Sequence, residues 1–238
     1  MDDDVPCKTS EEARETFDLG ASSPVIAARA SWTPQTREWD CALACASCVL
    51  GRRARDAARR RRSTWTIDLA GIFTAAGARR VMLVTRTIGV DPRLAEDAFY
   101  EEDYLRDVAR VNAAFRRATT LDSPVRVVRR RVRADDIAAI VLNGAHACVA
   151  LVDRRGLSPT ETTSEGFEGH YVVVEDANVD AKTFTLIDPA GDARTKGRKI
   201  VTWSCFDDAR RAFGTDEDLV FVSLRAKDFD VDAPRRFA

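Results

Sequence analysis

The chain lacks any run of the ~18 apolar residues that a membrane helix needs, so no membrane partner is expected. It also lacks an excess of charge. A formal net charge of -1 argues against a generally basic nucleic-acid binder. The first residues, Met1-Asp2-Asp3-Asp4, have neither the basic nor the apolar region of a secretory signal, so a cytoplasmic location is expected. No Gly-rich phosphate loop of the P-loop type is present. There are only two histidines, and neither stands at metal-site spacing from a cysteine pair; no metal and no cofactor is expected. The six cysteines, in a chain without an export signal, are expected to be reduced. What remains is 238 residues, 45% hydrophobic and 32% charged, which suits one domain with a real core.

Within that frame three residues stand in settings that a thiol hydrolase needs. Asp40 precedes a run of small and apolar residues, Cys41-Ala42-Leu43-Ala44-Cys45-Ala46-Ser47-Cys48-Val49-Leu50, which reads as a helix with Asp40 as its N-cap. Cys41 then falls in the first turn, where unpaired amides and the helix dipole favour an anion. A cysteine so placed beside a protonated histidine is a reactive one. His170 opens the β-rich segment Gly169–Val174, and Asp188 closes the next, Phe184–Asp188. A hairpin centred near Val179 puts His170 opposite Asp188, close enough for the aspartate to orient the imidazole. Gln35 lies six residues before Cys41, where its amide can donate to a developing oxyanion.

Along the rest of the chain, residues 1–30 read as a leader, 31–227 as the domain and 228–238 as a tail. Thr66–Ala76 reads as a helix capped by Thr66, and Val81–Arg86 as a strand. Glu101–Arg117 reads as an amphipathic helix with Tyr104, Leu105, Val108, Val111 and Phe115 turned to the core. Val125–Val132 reads as an edge strand, Asp135–Leu142 as a helix ended by Gly144, and Ala145–Val152 as an apolar strand. A polar loop over 153–168, a short helix from Ser204 or Asp207 to Phe213 and a last strand over Leu219–Leu224 complete the reading. Helices dominate the first half and strands the second, which predicts an α+β fold.

Cys41, Cys45 and Cys48 match the spacing of a radical-SAM iron–sulfur motif, but they lie on a helix-forming stretch rather than a loop able to wrap a cluster. Cys45 and Cys48 read as core packing. His146 reads as a strand-end histidine satisfied by backbone. Gly214-Thr215-Asp216-Glu217-Asp218 reads as a solvated acidic turn without calcium-loop spacing. The basic run from Arg52 to Arg62 reads as a solvated helix end, with a nuclear-entry signal as the alternative.

Five separated motifs carry a family resemblance: Trp39–Cys45, Trp65–Leu69, Thr87–Val90, Gly169–Tyr171 and Gly214–Asp218. Over about residues 30–227 they resemble the guanylyl cyclase domain-containing proteins of plants, animals and protists. The Gln35…Cys41 and His170…Asp188 pieces are also similar to the bacteriocin-leader cysteine peptidases of ABC transporters. That likeness implies a papain-like fold, with the Cys41 helix packed on an antiparallel sheet. It gives Cys41 as nucleophile, His170 as base, Asp188 as orienter and Gln35 as oxyanion donor. A peptide or acyl-protein substrate is implied. The cyclase name implies instead conversion of GTP to cyclic GMP with Mg or Mn. A third reading is a non-catalytic module that presents the same groove to a protein partner.

Overall fold

In a computed structural model, residues 30–57, 63–97, 99–157 and 166–223 are described. The first helix, α1 (Cys41–Leu50), is built almost wholly from small residues, and seven of its ten are buried. A helix apolar on every side belongs inside a protein, and α1 packs against the sheet through Cys45, whose Sγ donates to Tyr171 O at 3.2 Å. It ends at Gly51, where φ of 66° suits glycine. Then follow α2 (Arg52–Ala57), α3 (Thr66–Ala75), β1 (Val81–Thr85), a 3-10 turn (Pro92–Glu96), α4 (Glu101–Ala118), β2 (Val125–Arg129), α5 (Ala134–Leu142) and β3 (His146–Asp153). The remainder is α6 (Arg154–Leu157), β4 (Gly169–Asn178), β5 (Thr183–Ile187), β6 (Arg198–Thr202), α7 (Trp203–Arg211) and β7 (Leu219–Ser223).

The seven strands form one sheet in the order β2-β1-β7-β3-β4-β5-β6. The expected α+β class holds, but the sheet is mixed rather than antiparallel. β1 and β2 run parallel, because α4 provides the crossover that a parallel pair requires. Side chains alternate between the faces of the sheet. One face carries Leu83, Val149, Val173 and Val220 against α1, α3 and α4. The other carries Val84, Ala150, Val172 and Phe221 against α5 and α7. Among the described residues, no helix is long and apolar enough to cross a membrane.

Several local expectations are corrected. Leu105 is exposed, whereas Val111 and Phe115 are buried, with Tyr104 and Val108 packed beside them. Residues 104, 108, 111 and 115 follow the helical stripe, and 105 lies about 100° off it. The N-cap of α3 is Trp65, one residue before Thr66, and Asp68 reaches back to accept from Trp65 N at 3.2 Å. Asp40 does occupy the N-cap of α1 but makes no side-chain cap. Its carboxylate instead accepts from Thr36 N at 3.0 Å, Thr36 Oγ1 at 2.7 Å and Arg37 N at 3.2 Å, folding the loop that precedes Cys41. Strand β6 had no sequence signal. It is an edge strand in which only Val201 is buried, so it shows little apolar alternation. The polar loop at 153–168 begins with α6; its residues 158–165 lie outside the described residues, as do 1–29, 58–62 of the basic run, and 224–238. The described part of the basic run forms α2, with Ala54 buried and Arg52, Arg53 and Arg55 exposed.

Candidate functional site

Asp40 and Thr36 set the direction in which α1 begins, and so fix Cys41 in its first turn, 7% exposed. His170 enters from the neighbouring strand. It pairs with Val152 in the β3–β4 ladder and is 4% exposed. Its Nε2 lies 2.8 Å from Asp188 Oδ1, and Cys41 is near enough to act on the imidazole electrostatically. The structure thus brings Cys41, His170 and Asp188 together.

The route to that contact differs from the hairpin expected. The turn is centred between Asp180 and Ala181, since Asn178 faces Thr183, and Glu175 forms a bulge between Val174 and Asp176. Beside the site Val173 faces Ile187. That ladder, continued, sets Asp188 opposite Val172, diagonal to His170 rather than across from it. The displacement is two residues, an even number, so it leaves the facing side unchanged. A diagonal neighbour remains within reach of a long side chain.

Asp188 is braced where β5 ends. Its N–H donates to Gly197 O at 2.8 Å, and its Oδ1 also accepts from Ala190 N at 2.8 Å. Trp32 Nε1 donates to Asp188 O at 3.1 Å. Gly197 has φ of 66°, and a Cβ there would collide with both Asp188 O and the Trp32 ring, so this turn requires glycine. Gln35 is tied to the same turn, its N–H donating to Pro189 O at 2.9 Å. The Gln35 Oε1 is buried without a hydrogen-bond partner.

The electrostatics suit a charged imidazole. Burial by itself would pull His170 down, but its hydrogen bonds to Asp188 and Cys41, with their charges, push it up to about 9. For Asp188, burial acts upward and is outweighed by the His170 hydrogen bond and charge, leaving the carboxyl below its usual range. The other helix thiols are different. Burial pushes both Cys45 and Cys48 up. His146 begins β3, six residues from the position paired with His170, or roughly 20 Å along the strand. It takes no part in this site.

Cys41 opens on a cavity of ≈ 350 Å³. Its floor was not legible as such from sequence. Asp216 and Asp218 line it, while Glu217 between them turns away to Arg131, 2.6 Å distant. The acidic turn is therefore not solvated: Thr215 is fully buried, and Glu217 and Asp218 are each 8% exposed. Burial pushes Asp218 up to about 7, with the Asp216 charge adding and hydrogen bonds from Thr66 and Thr85 opposing. Burial raises Asp216 as well, against a 2.7 Å hydrogen bond donated by Thr87 Oγ1. No strand period could have revealed them, because Asp216 and Glu217 lie in a turn with φ of 50° and 54° just before β7.

Aromatic rings form the walls. The Trp65 and Tyr100 centroids are 5.1 Å apart, and Tyr100 stacks on Phe167 at 5.9 Å. Phe99 closes the group at 5.2 Å from Phe167. Tyr100 Oη donates to Gly214 O at 2.7 Å, joining this wall to the acidic floor. No group of three His, Cys, Asp or Glu residues able to hold a metal ion occurs among the described residues.

Fold and site together define an α+β protein with a mixed sheet, in which a buried cysteine and histidine and a half-buried aspartate adjoin an acidic, aromatic-walled cavity. Sequence comparison supplies the family. Residues 31–222 match the family described as Guanylylate cyclase, and the chain belongs to it. Guanylyl cyclase 1 of Arabidopsis thaliana is 30% identical over 210 residues, covering 80% of this chain and 74% of that relative.

Proposed function

We propose that this member of the family is a thiol hydrolase with a papain-like arrangement, acting on an amide, isopeptide or thioester of a peptide or acylated protein. The observation that carries this reading is the His170 imidazole hydrogen-bonded to Asp188 and electrostatically coupled to Cys41, with Cys41 in the first turn of α1. The Cys41 thiolate attacks the carbonyl carbon and forms a C–S bond. The side-chain amide of Gln35 and the amides of the first helical turn receive the oxyanion. His170 gives its proton to the leaving nitrogen or sulfur as the bond to the acyl carbon breaks. It then takes a proton from water, whose oxygen displaces the Cys41 sulfur. Asp188 holds the ring in one orientation throughout.

The family description and the name of the Arabidopsis relative favour a second reading, a guanylyl cyclase. In that reading Asp216 and Asp218 are the carboxylates that would hold Mg or Mn with GTP. Among the described residues that line the cavity none is lysine or arginine, so from these residues the triphosphate would gain no neutralising charge and would rely on metal.

One pair of variants separates the two. Cys41→Ala is expected to abolish acyl hydrolysis, by at least about 10³-fold, measured with fluorogenic amide and thioester libraries. Under the cyclase reading, cyclic GMP formation with Mn survives Cys41→Ala and falls in Asp218→Asn. Hydrolysis undiminished in Cys41→Ala overturns the proposal.

A further inference from the structure

The cavity is asymmetric in its charge. Four arginines converge on the outward side of the 216–218 segment: Glu217 lies 2.6 Å from Arg131, 3.7 Å from Arg210, 3.9 Å from Arg86 and 4.0 Å from Arg211. Among the described residues the inward side receives none. Among the described residues no salt bridge is formed to Asp216 or Asp218, and Arg93 acts on Asp216 only through its longer-range charge. Asp218 is 8% exposed and lines the cavity, yet its Oδ1 has no hydrogen-bond partner. A buried acceptor without a donor is costly unless a ligand supplies the donor. Aromatic rings outnumber aliphatic side chains around it: Trp39, Trp65, Phe99, Tyr100 and Tyr171 line the space beside Leu151 and Ala42. Carboxylates beneath aromatic faces suit an organic cation, which gains from both.

We propose that this cavity is a specificity site for an arginine side chain of the substrate, its guanidinium donating to Asp216 and Asp218 against the wall that Trp65 and Tyr100 form together. A planar guanidinium fits better than an ammonium, because it donates through a fork and stacks on rings. Cys41 lines the same cavity, so an arginine seated there is adjacent to the acyl carbon that the sulfur attacks. The assignment of that arginine to an acyl donor rests on the thiol-hydrolase reading; the recognition of the cation does not.

The test is therefore binding to full-length Cys41→Ala protein, which cannot turn over. Nα-acetyl-arginine methylamide is titrated against its citrulline counterpart, which has the same shape without the charge, with tryptophan fluorescence and calorimetry as readouts. The expected result is at least tenfold tighter binding of the arginine ligand, and a ratio reduced to about one in Asp216→Asn/Asp218→Asn. Equal affinity of the two ligands in the parent cavity overturns the proposal without recourse to any variant. So does Mn²⁺ binding that depends on these aspartates in a protein showing no arginine preference. An arginine preference in a protein whose Cys41 proves to be an ordinary thiol supports the cation site while removing the hydrolase reading.

Discussion

Replacing His170 by alanine is expected to lower acyl transfer by about 10²–10⁴-fold, the range typical of losing a positioned acid–base group. The same variant should change how stability depends on pH. Held at about 9 in the folded protein, His170 binds its proton more tightly than an ordinary imidazole does. Its contribution is then fully present below about pH 6.5 and is lost as pH rises through about 9. Asp188, held low, contributes above the usual carboxylate range and loses that contribution as pH falls through its depressed value. Denaturant unfolding of parent and His170→Ala should therefore differ most between about pH 5 and 6.5. The full linkage is on the order of 3 kcal/mol, and the difference should shrink steadily toward pH 9. A difference independent of pH over this interval would show that the imidazole is not held charged.

The second large effect is expected far from Cys41. Arg210 is completely buried in α7, and it donates to Asp207 Oδ1 at 2.7 Å and to Val132 O at 2.6 Å. Burial pulls its guanidinium down and the Asp207 charge and hydrogen bond oppose that. Its Nη1 also faces Glu217 at 3.7 Å. Asp216 and Glu217 both have positive φ, 50° and 54°, a conformation that costs non-glycine residues of order 1–3 kcal/mol each. The arginines on Glu217 and the hydrogen bond from Thr87 to Asp216 hold that segment in place. Arg210→Ala is expected to destabilise the protein by about 3–5 kcal/mol, since it empties a packed site and strips buried acceptors of their partner. In a domain of this size that corresponds to a melting temperature lower by about 10 °C. A loss below about 1 kcal/mol would mean that Glu217 is secured without Arg210.

The two halves of the site differ in how far the sequence discloses them. Cys41 was legible because a helix-forming run begins at it, and His170 and Asp188 because each bounds a β-rich segment. Their contact survives a misplaced turn, since the register differs by an even number of residues and the Glu175 bulge takes up the rest. The cavity floor was hidden for a different reason. Acidic residues between glycine and a strand read as a turn in water, and only tertiary packing against α3, β1 and β3 makes Asp218 buried. β6 escaped because an edge strand with one buried residue carries almost no hydrophobic period. Leu105 illustrates the converse, an apolar residue on the exposed side of a helix, which needs no explanation in a single case.

The central claim is a charged pair of Cys41 and His170, and the most direct measurement is the alkylation rate of Cys41 against pH in the parent and in His170→Ala. Site-resolved mass spectrometry separates Cys41 from the other cysteines. The account predicts labelling of Cys41 that stays fast well below pH 7 and is lost without His170. A rate that rises only through about pH 8.5 in both proteins is the behaviour of an unassisted thiol and would contradict it.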